Sequence, residues 1–307
     1  MIYESVLETI GNTPLIHVAR FEAAHKLPSK LLVKMESRNP AGSVKDRVAL
    51  SILHEAEAKD LLRSGNTIIE ATSGNTGVGL AMAACVRGYR LILTMPESMS
   101  IERRRLLAAY GAELVLTPAS EGMSGAQARA ELLHKEISGS LLASQFSNPA
   151  NPMAHEDTTG PEIWRDTAGR VDVLIACVGT GGTLSGTARY LKAQNPRLLV
   201  FAVEPAESPV LSEGRAGTHG IQGIGANFIP DNYDASVVDA LISVSTADAE
   251  HTARAFSRIE GILCGISSGA ALFASAQVMK DRELGGCTVV AILPDSGERY
   301  LSTGVYE

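Results

Sequence analysis

The sequence has little of what marks a nucleic-acid-binding, secreted or membrane protein. Its 307 residues include 27 Lys and Arg against 34 Asp and Glu, so the formal net charge is -7. A net negative charge gives no general attraction for nucleic acid or anionic lipid. No stretch of about 18 apolar residues occurs, so no membrane-spanning helix is predicted. The opening residues MIYESVLETIGNTPL lack the basic and apolar regions of a secretory signal, and we therefore expect a cytoplasmic protein.

Cysteine and histidine are also sparse and scattered. No C-x-x-C spacing occurs among the four cysteines, which are Cys85, Cys177, Cys264 and Cys287. This pattern predicts small core residues in a reducing compartment rather than a disulfide framework. The cluster His-Glu-Asp at 155–157 lacks the i, i+4 spacing of a helical metal pair. We expect a polar loop or the start of a helix there, and no metal.

Short apolar runs alternate with helical patterns along most of the chain. The nine strand candidates are KLLVKME, NTIIEA, RLILTMP, AELVLTP, LLASQF, VDVLIACV, RLLVFAVEP, ALISVS and TVVAILP. Several are apolar throughout, as expected of strands buried on both faces. Residues 43–59 predict a helix, because Ser43 and Asp46 have capping-box spacing and Val48 and Ile52 begin an apolar face. The alternation predicts an α/β fold with mainly parallel, twisted sheets flanked by helices.

Chain length and one segment rich in proline and asparagine predict two lobes. Single hydrophobic cores stop growing near about 250–300 residues. The segment SNPANP at 147–152 interrupts the periodic pattern and divides the chain nearly in half. We therefore expect an N-terminal lobe at 1–147 and a C-terminal lobe at 148–307, leaving open whether roughly the first 35 residues pack on the second lobe.

The first candidate site is the turn EATSGNTGVGLAMAA at 70–84. Parallel sheets bind ligands where their strands end, and this turn connects a predicted strand to a predicted helix. The helix start presents backbone N–H groups and the positive end of the helix dipole to an anion. Simple N-capping is the alternative. One polar residue would suffice for a cap, so the run of Thr72, Ser73, Asn75 and Thr76 favours a site.

A second turn, CVGTGGTLSG at 177–186, has the composition of a phosphate cradle. Its glycines allow close backbone approach, and its threonines add hydroxyl groups. A dinucleotide-binding fingerprint is the competing interpretation, but the chain has Leu184 where G-x-G-x-x-G needs its last glycine. A third turn, GILCGISSGAALF at 261–273, places Ser267 and Ser268 before another helix. Taken alone, this pattern indicates N-capping of the helix rather than a binding site.

One lysine fits a small phosphorylated cofactor. Pyridoxal 5'-phosphate needs a phosphate site, a partner for its pyridine nitrogen and a lysine that forms a Schiff base. Lys45 follows a tight turn in NPAGSVKDR and begins the predicted helix, where the helix dipole favours a neutral amine. A solvated lysine after a capped helix start is the alternative.

These segments together resemble the cysteine synthase (O-acetylserine sulfhydrylase) family of fold-type II pyridoxal-phosphate enzymes, whose fold is like that of the tryptophan synthase β chain. The matching stretches cover essentially the whole length: IGNTPL, NPAGSVKDR, EATSGNTGVGLA, MSIERRRLL, GAELVLTP, QFSNPANP, TTGPEIW, VGTGGTLSG, IQGIGANFIPDN, GISSGAA and SGERYLSTGV. So many matches in order make a chance resemblance negligible.

The resemblance implies a role for each matching residue. Lys45 is expected to form the Schiff base, and Asn75 to hydrogen-bond the ring hydroxyl of the cofactor. The residues expected to hold the substrate carboxylate are Thr72, Ser73, Asn75, Thr76 and Gln145. The phosphate cradle is expected at Gly179, Thr180, Gly181, Gly182 and Thr183, with Ser267 facing the pyridine nitrogen.

The reaction implied is a β-replacement that makes L-cysteine from O-acetyl-L-serine and sulfide through an α-aminoacrylate intermediate. The family also implies a homodimer and, for A-type enzymes, binding of the C-terminal tail of serine acetyltransferase. Four positions depart from the A-type pattern: Ala41, Gly220, Asn227 and Asp295. They keep open a related β-replacement using O-phosphoserine, thiosulfate, or serine with homocysteine as in cystathionine β-synthase. An NAD-dependent oxidoreductase and a non-catalytic scaffold are the remaining alternatives.

Overall fold

The computed structural model describes residues 2–281 and 284–307 as alternating strands and helices. The strands are β1 (Leu15–His17), β2 (Lys30–Met35), β3 (Thr67–Ala71), β4 (Arg90–Pro96), β5 (Glu113–Thr117), β6 (Leu141–Leu142), β7 (Val173–Cys177), β8 (Leu199–Pro205), β9 (Ala240–Val244) and β10 (Thr288–Leu293). The helices are α1 (Ala19–His25), α2 (Lys45–Ala58), α3 (Asn75–Arg87), α4 (Ile101–Ala109), α5 (Gly122–Glu136), α6 (Ala150–Ala154), α7 (Gly160–Asp166), α8 (Gly182–Gln194), α9 (Val210–Glu213), α10 (Thr246–Glu260) and α11 (Ile266–Asp281).

The chain divides into two compact units, and the first contains a small parallel sheet. This unit comprises the residues up to Ile10 together with Lys45–Asn151. Its strands lie in the order β5-β4-β3-β6, and all of the pairs are parallel. Ile69 of β3 packs in one hydrophobic cluster with Leu133 of α5. The central strands are buried on both faces, which explains why their sequences are nearly continuously apolar.

The second unit, Gly11–Val44 with Pro152–Glu307, contains a larger sheet. Its order is β1-β2-β10-β7-β8-β9, parallel except for the antiparallel pair of β1 and β2. Phe201 and Val203 of β8 lie in a hydrophobic cluster that includes residues of α10 and α11. The alternate residues of β8, Val200 and Ala202, lie in a cluster with residues of α8. Helices therefore cover both faces of this sheet.

The predicted fold class is confirmed, with local differences. Each strand candidate contains a strand, but LLASQF contributes only the two residues of β6, and β1 was not predicted. The predicted helix at 43–59 begins at Lys45, because Ser43 forms an isolated antiparallel bridge with Asp295 instead. The compact units change between Asn151 and Pro152, and the division into lobes at 1–147 and 148–307 stays a prediction.

The four cysteines differ in exposure. Cys264 is buried, whereas Cys85, near the end of α3, is exposed, so the prediction of a core residue is wrong there. Cys177 and Cys287 are partly buried. In the described ranges, no helix combines the length and apolar character needed to cross a membrane. The same ranges hold no group of three or more His, Cys, Asp or Glu residues arranged to bind a metal ion.

Candidate active site

Lys45 is the first residue of α2, and a glycine lets α3 approach its backbone closely. Gly42 has φ +86°, which turns the chain shortly before the helix. A Cβ atom at Gly79 would lie 3.0 Å from the carbonyl oxygen of Lys45 and 3.2 Å from Cβ of Ala49. Any larger residue at 79 would force the two helices apart. The first unit therefore brings the start of α2 against the second turn of α3.

The turn between β3 and α3 holds four of the predicted carboxylate-binding residues. The hydroxyl of Thr72 accepts a hydrogen bond from the backbone N–H of Gly74 at 3.2 Å. Ser73 donates its hydroxyl to the sulfur of Met99 at 2.8 Å, so this hydroxyl hydrogen is directed at Met99. Asn75 and Thr76 are the first two residues of α3. Their backbone N–H groups belong to the first helical turn, which lacks intrahelical acceptors and suits an anion.

Gln145, the fifth residue predicted to bind the substrate carboxylate, contacts this turn through its side chain. Thr76 donates its hydroxyl hydrogen to Oε1 of Gln145 at 2.5 Å, and both residues are buried. The side-chain amide of Asn151 donates a hydrogen bond to the backbone carbonyl oxygen of Gln145 at 2.8 Å. The loop that carries Gln145 is therefore fixed by side-chain contacts from its own unit.

Glu70 extends this hydrogen-bonded group, and the sequence analysis did not identify it. Its carboxylate accepts from the side chain of Gln145 and from the backbone N–H groups of Gln145 and Ser144. Burial raises the pKa of Glu70 from 4.5 to about 7, although these hydrogen bonds oppose the shift. A glutamate within an otherwise apolar strand was the available signal. The carboxyl group therefore titrates near neutral pH.

The cradle at 179–183 has no room for a side chain at two of its glycines, Gly179 and Gly181. Gly181 has φ +83° and precedes the first residue of α8. A Cβ atom at Gly181 would lie 2.6 Å from the backbone nitrogen of Tyr233, and one at Gly179 would collide with the carbonyl oxygen of Gly223. The N–H groups in the first turn of α8 have no intrahelical acceptors, and without side chains at Gly179 and Gly181 a phosphate can approach the backbone closely, so the residues present fit the phosphate of pyridoxal 5'-phosphate.

His155 supports the cradle and was not recognised as doing so. Its Nε2 lies 3.1 Å from the hydroxyl oxygen of Thr183, and its Nδ1 lies 2.9 Å from that of Thr159. His155 is fully buried and begins a π-helical turn that ends at Thr159. The expectation of a polar loop or a helix start at 155–157 is wrong, because these residues lie inside a continuous helical stretch that runs from Ala150 to Asp166. The 28 positions that separate His155 from Thr183 gave no local signal.

Ser267 lies in the first turn of α11 and is buried. The thiol of Cys177, the last residue of β7, is 3.2 Å from the carbonyl oxygen of Ser267 and donates to it. Burial raises the pKa of Cys177 to about 12, so it is a neutral donor at physiological pH. The strand that leads into the cradle therefore also contacts the residue predicted to face the pyridine nitrogen.

The predicted site residues form two groups, each within one compact unit. The first unit holds Lys45, Thr72, Ser73, Asn75, Thr76 and Gln145. The second unit holds Gly179, Thr180, Gly181, Gly182, Thr183 and Ser267. Residues 72–76 and 179–183 lie where a parallel strand ends and a helix begins, which is the edge at which such sheets bind ligands, whereas Lys45 and Ser267 lie at the starts of α2 and α11.

Comparison with known proteins identifies the class. Residues 6–295 match the family described as pyridoxal-phosphate dependent enzyme, which covers most of the chain. The chain therefore belongs to the family of pyridoxal-phosphate dependent enzymes, and its cofactor is pyridoxal 5'-phosphate.

The most similar relatives narrow the class further. The chain is 50% identical to cysteine synthase A of Escherichia coli (strain K12) over 314 aligned positions, which cover 99% of this chain and 96% of that protein. Its structure resembles that of cysteine synthase from Entamoeba histolytica with a TM-score of 0.97 and 46% identity, covering 100% of this chain and 91% of that one. It also resembles O-ureido-L-serine synthase, with a TM-score of 0.95 and 43% identity, covering 100% and 96%. The chain is thus similar to cysteine synthases along its full length.

Proposed function

We propose that this protein makes L-cysteine from O-acetyl-L-serine and sulfide by a pyridoxal-phosphate-dependent β-replacement. The observation that carries the proposal is the 50% identity to cysteine synthase A over 99% of the chain. Similarity of this extent includes every segment on which the candidate site residues lie. A cytoplasmic location is part of the proposal.

The bound cofactor supplies an electron sink for the α-carbon of an amino acid. Backbone N–H groups at 179–183 hold its phosphate, and Lys45 is its covalent attachment point through Nζ. After release, the same Nζ accepts the α-proton of the substrate. The side chain of Asn75 orients the cofactor ring by a hydrogen bond to the ring hydroxyl.

The remaining residues bind the substrate and favour replacement over transamination. Thr72, Ser73, Asn75, Thr76 and Gln145 are proposed to hold the substrate carboxylate. The hydroxyl of Ser267 carries no negative charge with which to keep a proton on the pyridine nitrogen. A site of this kind favours loss of a β-leaving group over reactions that need a long-lived carbanion.

The proposal is tested by comparing candidate substrates one at a time. Purified holoenzyme is incubated separately with O-acetylserine, O-phosphoserine and serine, and sulfide or homocysteine is then added. Cysteine formation should be fastest from O-acetylserine with sulfide, and a change in the visible absorbance of the cofactor should precede it. No absorbance change with any of the three amino acids would refute the proposal.

Lys45→Ala provides the matched test of the site. This variant should keep the fold and lose both covalent cofactor attachment and turnover. Far-ultraviolet circular dichroism checks the fold, and mass spectrometry of borohydride-reduced, denatured protein checks attachment, because reduction makes the link to a lysine permanent. Turnover by Lys45→Ala would assign the attachment and base roles to another residue.

The similarity to O-ureido-L-serine synthase supports a second candidate, in which the same site accepts a nucleophile other than sulfide. Thiosulfate is therefore added to the same assay as a third sulfur donor beside sulfide and homocysteine. A homodimer and binding of the serine acetyltransferase tail also remain proposals. Light scattering of the purified protein tests the first, and titration with a peptide of that tail tests the second.

A further inference from the structure

The carboxyl group of Glu70 lies at the end of a hydrogen-bonded chain that leads to the proposed carboxylate-binding turn. The chain runs from Glu70 through the side-chain amide of Gln145 to the hydroxyl of Thr76. Glu70, Gln145 and Thr76 are 4%, 6% and 3% exposed, so solvent contributes little to their hydrogen bonds. No catalytic step requires Glu70. Its position in this hydrogen-bonded chain therefore indicates a role in ligand binding.

The direction of this chain depends on where one proton is. An ionised carboxylate can only accept, so Nε2 of Gln145 points at Glu70 and Oε1 receives the hydroxyl hydrogen of Thr76. A protonated Glu70 can instead donate to Oε1 of Gln145. Rotation of the amide by 180° then points Nε2 at the hydroxyl oxygen of Thr76, whose hydrogen can turn to a ligand.

We propose that Glu70 couples binding of the substrate carboxylate to the uptake of one proton by reversing this chain. The inference rests on the proposed function, because that function assigns the turn at Thr76 to a carboxylate. Reversal gives the ligand one additional hydrogen-bond donor, and protonation removes a buried negative charge near an incoming anion. Both effects favour carboxylate binding to the form that has a neutral Glu70.

The raised pKa of Glu70 does not depend on charged groups on the neighbouring helices and strand. The charged or titratable groups on α2, α3, β4 and α5 are Lys45, Asp46, Arg47, His54, Glu55 and Glu57 of α2, Cys85 and Arg87 of α3, Arg90 of β4, and Arg129, Glu131, His134, Lys135 and Glu136 of α5. Arg90 pairs with Glu113 at 2.7 Å on the exposed edge of the sheet. The raised pKa of Glu70 follows from burial, opposed by hydrogen bonds from Gln145 and Ser144. It requires no charge from these elements.

Propionate is a suitable probe, because it has a carboxylate but no amine to react with the cofactor. Its binding to the holoenzyme is measured by calorimetry in two buffers of different ionisation enthalpy, which reports the protons taken up. With a group that titrates near neutral pH, the dissociation constant should rise about tenfold between about pH 6 and about pH 8. Proton uptake should approach one per propionate at the higher pH.

Glu70→Gln should abolish both the proton uptake and this pH dependence. Glu204→Gln is the matched control: Glu204 is also a buried glutamate, but it accepts from Leu211 and Ser212 in the second unit. The Glu204→Gln variant should keep the proton uptake and the pH dependence of propionate binding seen in the wild type. Persistence of proton uptake in Glu70→Gln would overturn the assignment, as would its loss in Glu204→Gln.

Substitutions at Thr76 distinguish two explanations of the pH dependence: coupling through the hydrogen bonds of Gln145 and Thr76, and direct repulsion between ionised Glu70 and the ligand. Thr76→Val removes the hydroxyl and should weaken propionate binding and reduce its pH dependence, whereas Thr76→Ser should restore both. If Thr76→Val kept the full wild-type dependence, the hydrogen-bonded chain would not be the coupling route. Thermal unfolding of each variant excludes a general loss of structure.

The outcomes distinguish this inference from the proposed function. Cysteine formation by a wild-type enzyme that binds propionate without proton uptake, or does not bind it, would overturn the inference and leave the function standing. Proton-linked propionate binding by an enzyme that forms no cysteine would overturn the function and support the carboxylate site.

Discussion

The two proposed anion sites, the turn at 72–76 and the cradle at 179–183, share a position after a parallel strand but differ in construction. The cradle has glycines packed against neighbouring backbone, so its backbone N–H donors cannot change protonation state or rotate away. The turn depends on side chains, and its hydroxyl and amide groups connect to a carboxyl group that titrates near neutral pH. A fixed cradle suits a permanent cofactor, whereas an adjustable turn suits a substrate that enters and leaves.

The largest effect is expected from adding one methyl group to the cradle. Gly181→Ala must adopt φ +83° and also places Cβ 2.6 Å from the backbone of Tyr233. The conformational strain is roughly 1–3 kcal/mol, and the collision adds to it. We expect loss of bound cofactor and a lower melting temperature, measured by visible absorbance and calorimetry.

Gly214→Ala is the control for backbone strain alone. Gly214 has φ +68°, and nothing lies within 4 Å of a Cβ atom there. This variant should be mildly destabilised and keep its cofactor. Equal cofactor retention by the two variants would show that the cradle tolerates side chains, which would remove the contrast with the turn.

The adjustable turn should make stability depend on pH. The folded protein raises the pKa of Glu70 from 4.5 to about 7, so the folded state holds its proton more tightly than the unfolded state. Stability should therefore fall as pH rises through this window, by at most about 3 kcal/mol from this group. Glu70→Gln should be relatively more stable than wild type at pH 8 than at pH 5, as measured by urea denaturation. An unchanged difference at the two pH values would contradict the prediction.

A smaller effect is expected at Thr183, a cradle residue whose side chain contacts the buried His155. Thr183→Val removes the hydroxyl that lies 3.1 Å from Nε2 of His155. Loss of one such hydrogen bond corresponds to about 1 kcal/mol, or a few-fold weaker cofactor binding. Titration of apoenzyme with the cofactor measures this, and Thr183→Ser should bind as wild type does. A large loss in Thr183→Val would mean that side chains, and not only backbone, hold the cofactor.

The smallest effect concerns the thiols. Burial raises the pKa values of Cys177 and Cys264 to about 12, whereas Cys85 is exposed. Because the thiolate is the reactive form, iodoacetamide should modify Cys85 first, with little loss of activity. Peptide mapping by mass spectrometry gives the order. Early modification of Cys177 would show that the end of β7 opens readily, which a rigid cradle would not allow.

The sequence predicted features that arise from nearby residues and missed those that depend on distant ones. The cradle was recognisable because its strand, glycines and helix are consecutive. The contact of His155 with Thr183 and that of Glu70 with Gln145 join separate segments, and no periodicity encodes them. The start of α2 was misplaced because Ser43 pairs with the distant Asp295.

The last strand of the chain lies inside the larger sheet, between β2 and β7. Thr288 pairs opposite Lys30, so β2 is synthesised long before its neighbour exists. During translation the edge of β2 therefore stays unpaired until residue 288 has been made, while residues 45–151 form a continuous stretch that leaves the ribosome before the larger part of the second unit. Completion of the larger sheet is a late event in biosynthesis, and a nascent chain that stops before residue 288 exposes an unfinished strand edge to aggregation.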